Sequence, residues 1–124
     1  MPEISVDPIT QGKFKIRQHE FKMAEEQFLK ALKNNPKSVE ALYLLAQCQR
    51  NLYRFEEALD SARKALELDP INPEVLYELC ETYRRMGNQI KALEIAKKMD
   101  ALPQAKKIFD TKKLVSIIQS TIKK

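Results

Sequence analysis

Apolar residues in this chain return at intervals of three and four, the period of an amphipathic helix, and the helical pattern itself returns after 34 residues. The repetition is clearest from Val39 to Pro70. Leu42, Leu45, Ala46 and Gln49 share one stripe of a first helix, and Phe55, Ala58, Leu59, Ala62, Ala65 and Leu66 share one stripe of a second. Small residues set the register: Ala24, Ala58 and Ala92 fall 34 apart, and Ala31, Ala65 and Met99 each follow seven residues later. Pro36 and Pro70 close the first two units. The chain therefore divides into helix pairs at about 5–38, 39–72 and 73–103, with a segment 104–124 beyond them.

Asp7 and Pro8 predict the N-cap and first residue of the opening helix. Its apolar residues are Ile9, Phe14 and Ile16. Phe21, Ala24, Phe28, Ala31 and Leu32 mark its partner. In the third unit Leu76, Leu79, Cys80, Tyr83 and Met86 are followed by a Gly87-Asn88 turn and then Ala92, Leu93 and Ala96. Three local departures carry expectations. Tyr53 stands where the third unit has Gly87, and a tyrosine adopts positive φ only at a cost, so the second turn is expected to be of another type. Asp100 falls where Leu32 and Leu66 sit, so packing is expected to loosen there. Alanines mark close helix crossings, and Ala58→Leu is expected to destabilise more than Ala41→Leu. After Pro103, QAKKIF predicts a short helical turn, Asp110 or Thr111 an N-cap, and Leu114, Ile117, Ile118 and Ile122 the apolar side of a last helix.

A period of 34 with two helices per unit, small residues at these positions and a closing proline resembles the tetratricopeptide repeat (TPR) family. The resemblance implies an all-α fold, a right-handed α-solenoid of three TPR-like helix pairs plus a C-terminal capping helix. It also implies a non-catalytic module that holds a peptide or helical segment of a partner protein in a concave groove lined by the first helices. Phase along those helices assigns Ile9, Thr10, Lys13, Ile16 and Arg17 to the groove in the first unit. The second contributes Glu40, Tyr43, Leu44, Gln47, Arg50 and Asn51, and the third Glu74, Tyr77, Glu78, Glu81, Arg84 and Arg85. Within this set the candidate partner-binding residues are Lys13, Arg17, Glu40, Tyr43, Gln47, Arg50, Glu74, Tyr77, Glu78, Glu81 and Arg84. Glu40 and Glu74, Tyr43 and Tyr77, and Arg50 and Arg84 each repeat at 34, which predicts an acidic edge, a tyrosine row and a basic edge. The same tyrosines could instead pack between neighbouring helices. One TPR subclass clamps the C-terminal carboxylate of chaperone tails, and its clamp places here hold Ile9, Lys13, Leu44, Glu74 and Glu78. The two carboxylates would repel an acidic tail, so a partner of basic or mixed charge fits better.

Charge changes the picture only at the end of the chain. The formal net charge of +5 belongs to the segment from Gln104, where six lysines face Asp110 alone, so Met1–Pro103 sums to zero. A capping helix with solvated lysines is the leading reading of that tail. A membrane-surface or partner-docking helix, a weak nucleic-acid footprint and a tail folded into its own groove are the alternatives. For the whole chain the alternatives to groove binding are a structural, self-associating scaffold and a basic-tail adaptor for anionic membrane or nucleic acid.

Catalytic chemistry finds no support. His19 has no Cys or Asp at catalytic or metal spacing, and two glycines provide no phosphate loop. Cys48 and Cys80 read as small core residues, and Glu25-Glu26 and Glu56-Glu57 as solvated helix faces. No cofactor or metal is expected. No apolar run reaches the ~18 residues of a membrane span, and the start MPEISVDP lacks the parts of a secretory signal. A soluble, cytoplasmic protein is the expectation.

Overall fold

The computed structural model describes residues 7–122, among which there are eight helices and no strand. In order these are α1 (Pro8–Arg17), α2 (Phe21–Asn34), α3 (Val39–Asn51), α4 (Phe55–Leu68), α5 (Pro73–Met86), α6 (Gln89–Asp100), α7 (Pro103–Lys106) and α8 (Thr111–Ile122). The expected start of the first unit at residue 5, and Lys123 and Lys124 of the tail, lie outside the described residues. The helices pair as α1–α2, α3–α4 and α5–α6, and α3 and α5 also pack on the second helix of the unit before them. The result is the α-solenoid expected from the period.

Local chemistry starts each first helix. Asp7 accepts a hydrogen bond from the Thr10 amide at 3.1 Å, Ser38 from Ala41 at 3.2 Å, and Asn72 from Val75 at 3.1 Å. Asp110 caps α8 in the same way through the Lys113 amide at 3.1 Å. Each such cap stabilises its helix by about 1 kcal/mol.

The turns inside the pairs share one geometry, contrary to the expectation for Tyr53. His19, Tyr53 and Gly87, spaced by 34, have φ of 60°, 63° and 86°. The amides of Glu20, Arg54 and Asn88 then reach back to the carbonyls of Lys15, Gln49 and Tyr83 at 2.9, 2.8 and 2.9 Å. The left-handed conformation costs a non-glycine residue about 1–2 kcal/mol. Ring packing returns part of it, since Tyr53 lies edge-on to Phe55 at 6.1 Å and His19 edge-on to Phe21 at 5.8 Å.

Side-chain volume is traded across the helix crossings. A Cβ on Gly12 would lie 2.4 Å from Cε1 of Phe28, so the first unit sets its glycine against a phenylalanine. At the homologous positions the later units combine Ala46 with Ala62 and Cys80 with Ala96, all of them fully buried. Ala41 is as completely buried as Ala58, so the expected contrast between their leucine variants loses its basis. Two further expectations are corrected. Glu25 is buried rather than solvated, and its carboxylate accepts from the Arg54 guanidinium of the next unit's turn. Asp100 tightens the structure: its carboxylate accepts from the Thr111 hydroxyl at 2.7 Å and so fixes the start of α8.

Beyond α6, Ala105, Leu114 and Ile118 join Met99 in the largest apolar cluster. The tail thereby covers the open end of the third unit. Ile117 and Ile122 point outward, 41% and 40% exposed.

Candidate functional site

The first helices α1, α3 and α5 stand side by side, and the residues they turn away from α2, α4 and α6 form the candidate site. Tyr43 and Tyr77 occupy the same register on α3 and α5, each half-buried and packed against residues of neighbouring units. Their surroundings differ. Tyr77 is covered by Phe109 from the link between α7 and α8, the two rings lying parallel within 2° and 4.5 Å apart. Tyr43 carries no such ring among the described residues.

The charges do not form separate edges. Lys13 of α1 reaches Glu40 of α3 at 2.6 Å, both side chains being about half exposed. Arg50 of α3 reaches Glu78 of α5, its Nε and Nη2 both donating to Oε1 at 3.1 and 2.8 Å. The second bridge is deep, with side-chain exposures of 11% and 8%. Arg84 turns back along its own helix to Glu81 at 2.7 Å. Acidic and basic positions from adjacent first helices therefore neutralise each other across the groove floor. The reason is the spacing: a long basic side chain on one helix reaches a carboxylate on the next.

Burial governs the titration of these groups. Burial, with Arg50 pulling the other way, leaves the Glu78 carboxyl above its ordinary value. The Tyr43 hydroxyl is pushed up to about 12 by burial and then by the charges of Glu40, Glu74 and Glu78. Tyr77 is also raised, first by burial and then by Glu81. The thiols of Cys48 and Cys80 are pushed up to about 12, chiefly by burial, which makes them packing groups rather than nucleophiles. Among the described residues no three His, Cys, Asp or Glu side chains converge on a point that could hold a metal ion.

The remaining candidates divide clearly. Gln47 is half-buried and its backbone carbonyl accepts from the Asn51 side chain at 2.8 Å. Glu74 is half-buried beside Tyr43. Arg17 lies over the ring of Phe14 at 5.8 Å, near the end of α1 and away from the tyrosines. Leu44, assigned to the groove by phase, is buried in the cluster around Phe28. Phe109 was not singled out by its sequence. The available signal was a lone aromatic in a lysine-rich link just before an N-cap aspartate. That link also closes a cleft between α5 and α8 lined by Tyr77, Glu81, Arg84, Phe109, Lys113 and Ile117.

Comparison with known proteins follows the same lines. The family model for the tetratricopeptide repeat matches residues 10–73. No curated protein sequence matches the chain. Among solved structures, the crystal structure of MamA superposes with a TM-score of 0.80 at 20% identity, over 92% of this chain and 66% of that one. This chain thus spans about two thirds of the MamA structure's length. The first TPR of Spaghetti (RPAP3), solved bound to the HSP90 peptide SRMEEVD, gives 0.85 at 13% identity over 94% of both chains. PcrH in complex with the chaperone binding region of PopD gives 0.78 at 14%, over 92% of this chain and 90% of that one.

Proposed function

Because the chain belongs to the tetratricopeptide repeat family, we propose that it is a non-catalytic interaction module whose inner face, along α1, α3 and α5, takes a peptide or helical segment of another protein. One observation carries this reading. Phe109, from a link without regular secondary structure, lies flat on Tyr77, so one tyrosine of the row already receives a planar side chain from a passing segment. Tyr43 offers an equivalent ring 34 residues earlier. Tyrosine supplies rigid apolar area with a polar tip, a combination suited to binding surfaces. Likeness of fold supports the same class of function, since the Spaghetti domain was solved with an HSP90 peptide and PcrH with a region of PopD.

The ligand differs in charge from an acidic tail. Of the carboxylates beside the tyrosine row, Glu40, Glu78 and Glu81 are paired with Lys13, Arg50 and Arg84, which leaves the charge of Glu74 unbalanced, and Leu44, at a clamp position, is buried. A basic or mixed-charge segment fits this lining by simple electrostatics.

Capture from a lysate of the native cell tests the proposal with the intact chain, Tyr43→Ala, and Lys30→Ala on the exposed face of α2 as control. Tyr43→Ala is expected to lose a partner that both other proteins retain, with its helical circular dichroism unchanged. Retention of every partner by Tyr43→Ala would remove the groove from consideration.

A further inference from the structure

The ion pairs of the inner face follow the repeat, and one position breaks the series. Lys13 of α1 bridges to Glu40 of α3 at 2.6 Å. Advancing both residues by 34 gives Gln47 and Glu74. A glutamine brings no charge, so Glu74 lacks the cation that its counterpart Glu40 possesses. The neighbouring groove cations are engaged elsewhere, Arg50 with Glu78 at 2.8 Å and Arg84 with Glu81 at 2.7 Å. Among the described residues Glu74 takes part in no salt bridge. It is half-buried, and Tyr43 packs against the cluster that holds Val75, the residue next to it on α5. A carboxylate in that setting has lost part of its water without gaining a counter-ion.

We propose that Glu74 and Tyr43 form an arginine subsite, in which the guanidinium of a bound segment lies on the Tyr43 ring and donates hydrogen bonds to the Glu74 carboxylate. The proposal rests on the groove reading given above and names the residue type the groove selects. Arginine fits better than lysine because its planar, weakly hydrated group can stack on a ring and form a fork with a carboxylate at once. Both halves of the contact have precedents in the molecule. Phe109 lies flat on Tyr77 at 4.5 Å, and Arg50 donates through two nitrogens to Glu78 one helix away.

Selection of phage-displayed random peptides on the full chain tests the subsite. Peptides taken by the native protein are expected to be enriched in arginine over the library, and to bind Glu74→Gln about tenfold more weakly. Gln47→Lys, which restores the cation supplied by Lys13 in the first unit, is expected to weaken them similarly while leaving the fold intact. Arginine replaced by citrulline in a selected peptide should lose the same factor. Three results overturn the subsite while leaving the groove standing, provided the peptides depend on Tyr43: no arginine enrichment, enrichment of acidic residues, or full affinity in both variants. Peptides that ignore Tyr43→Ala, or the recovery of none at all, overturn the groove reading together with the subsite.

Discussion

Tyr43 and Tyr77 occupy one position of the repeat, yet Phe109 lies flat on the second and no ring among the described residues stacks on the first. The periodic part of the chain makes them equivalent, because helix phase and the preceding cap fix which way each faces. The segment after Pro103, which falls outside the period, makes them different. The Arg50–Glu78 bridge joins their two helices, α3 and α5, as a buried divider of the groove floor. The tail of the array thus takes one tyrosine and leaves the other without a stacked ring among the described residues.

Breaking the divider has the largest expected effect. Arg50→Met leaves a buried carboxylate unpaired and should cost about 3–5 kcal/mol in urea unfolding, whereas Arg50→Met combined with Glu78→Leu should recover most of that. Equal losses in the single and double variants would show that Glu78 is hydrated after all. The pH dependence has a definite sign. Glu78 is already raised in the folded chain, and losing Arg50 raises it further. A folded value above the unfolded one favours folding at low pH, so the penalty in Arg50→Met grows as pH rises through the folded value. It disappears below the ordinary carboxylate range.

Uncovering Tyr77 comes next. Phe109→Ala should cost about 1 kcal/mol, the scale of a stacked aromatic pair. The Tyr77 hydroxyl should then titrate closer to the ordinary tyrosine value, with Tyr43 unchanged, as followed by ultraviolet absorbance in single-tyrosine backgrounds. If Tyr43 shifts as well, the two rings are coupled and the comparison fails.

A smaller effect separates the tyrosines by alkaline stability. Tyr43 is pushed up to about 12, above the unfolded value of about 10, so its contribution is complete below the latter and is lost as pH rises towards the former. Tyr43→Phe should therefore flatten the decline in urea midpoint over that window, and an unchanged slope would assign the decline to other groups. No change at all is expected from thiol reagents at pH ~8 on the native chain, because burial pushes both cysteines up to about 12. Rapid alkylation of Cys48 would mean that the crossing of α2 and α3 opens in solution.

Much of this was legible beforehand where the cause is local. The caps Asp7 and Asp110, the helix faces of α3 to α6 and the turn at Gly87 follow from residue type and spacing within a few positions. The candidate residues were less legible. Phase placed Glu40, Tyr43 and Tyr77 on one face, but it assigned the charges to edges when long arginine and lysine side chains cross to the next helix instead. It treated Glu25 as solvated because reading along α2 could not reveal Arg54 arriving from another unit. Tyr53 misled for a related reason, as its left-handed backbone is imposed by the packing of α3 on α4 rather than by its own preference.

By itself, then, the sequence determined the period of 34, the helices and the face each one buries, because helix phase and capping act over a few residues and the repeat copies them. Only the tertiary structure decided which groove charges cancel, which tyrosine is covered, and why Gly12 is needed opposite Phe28. Those outcomes depend on the distance between neighbouring helices and on where a non-repeating tail comes to rest. Neither quantity is encoded at any one position of the repeat.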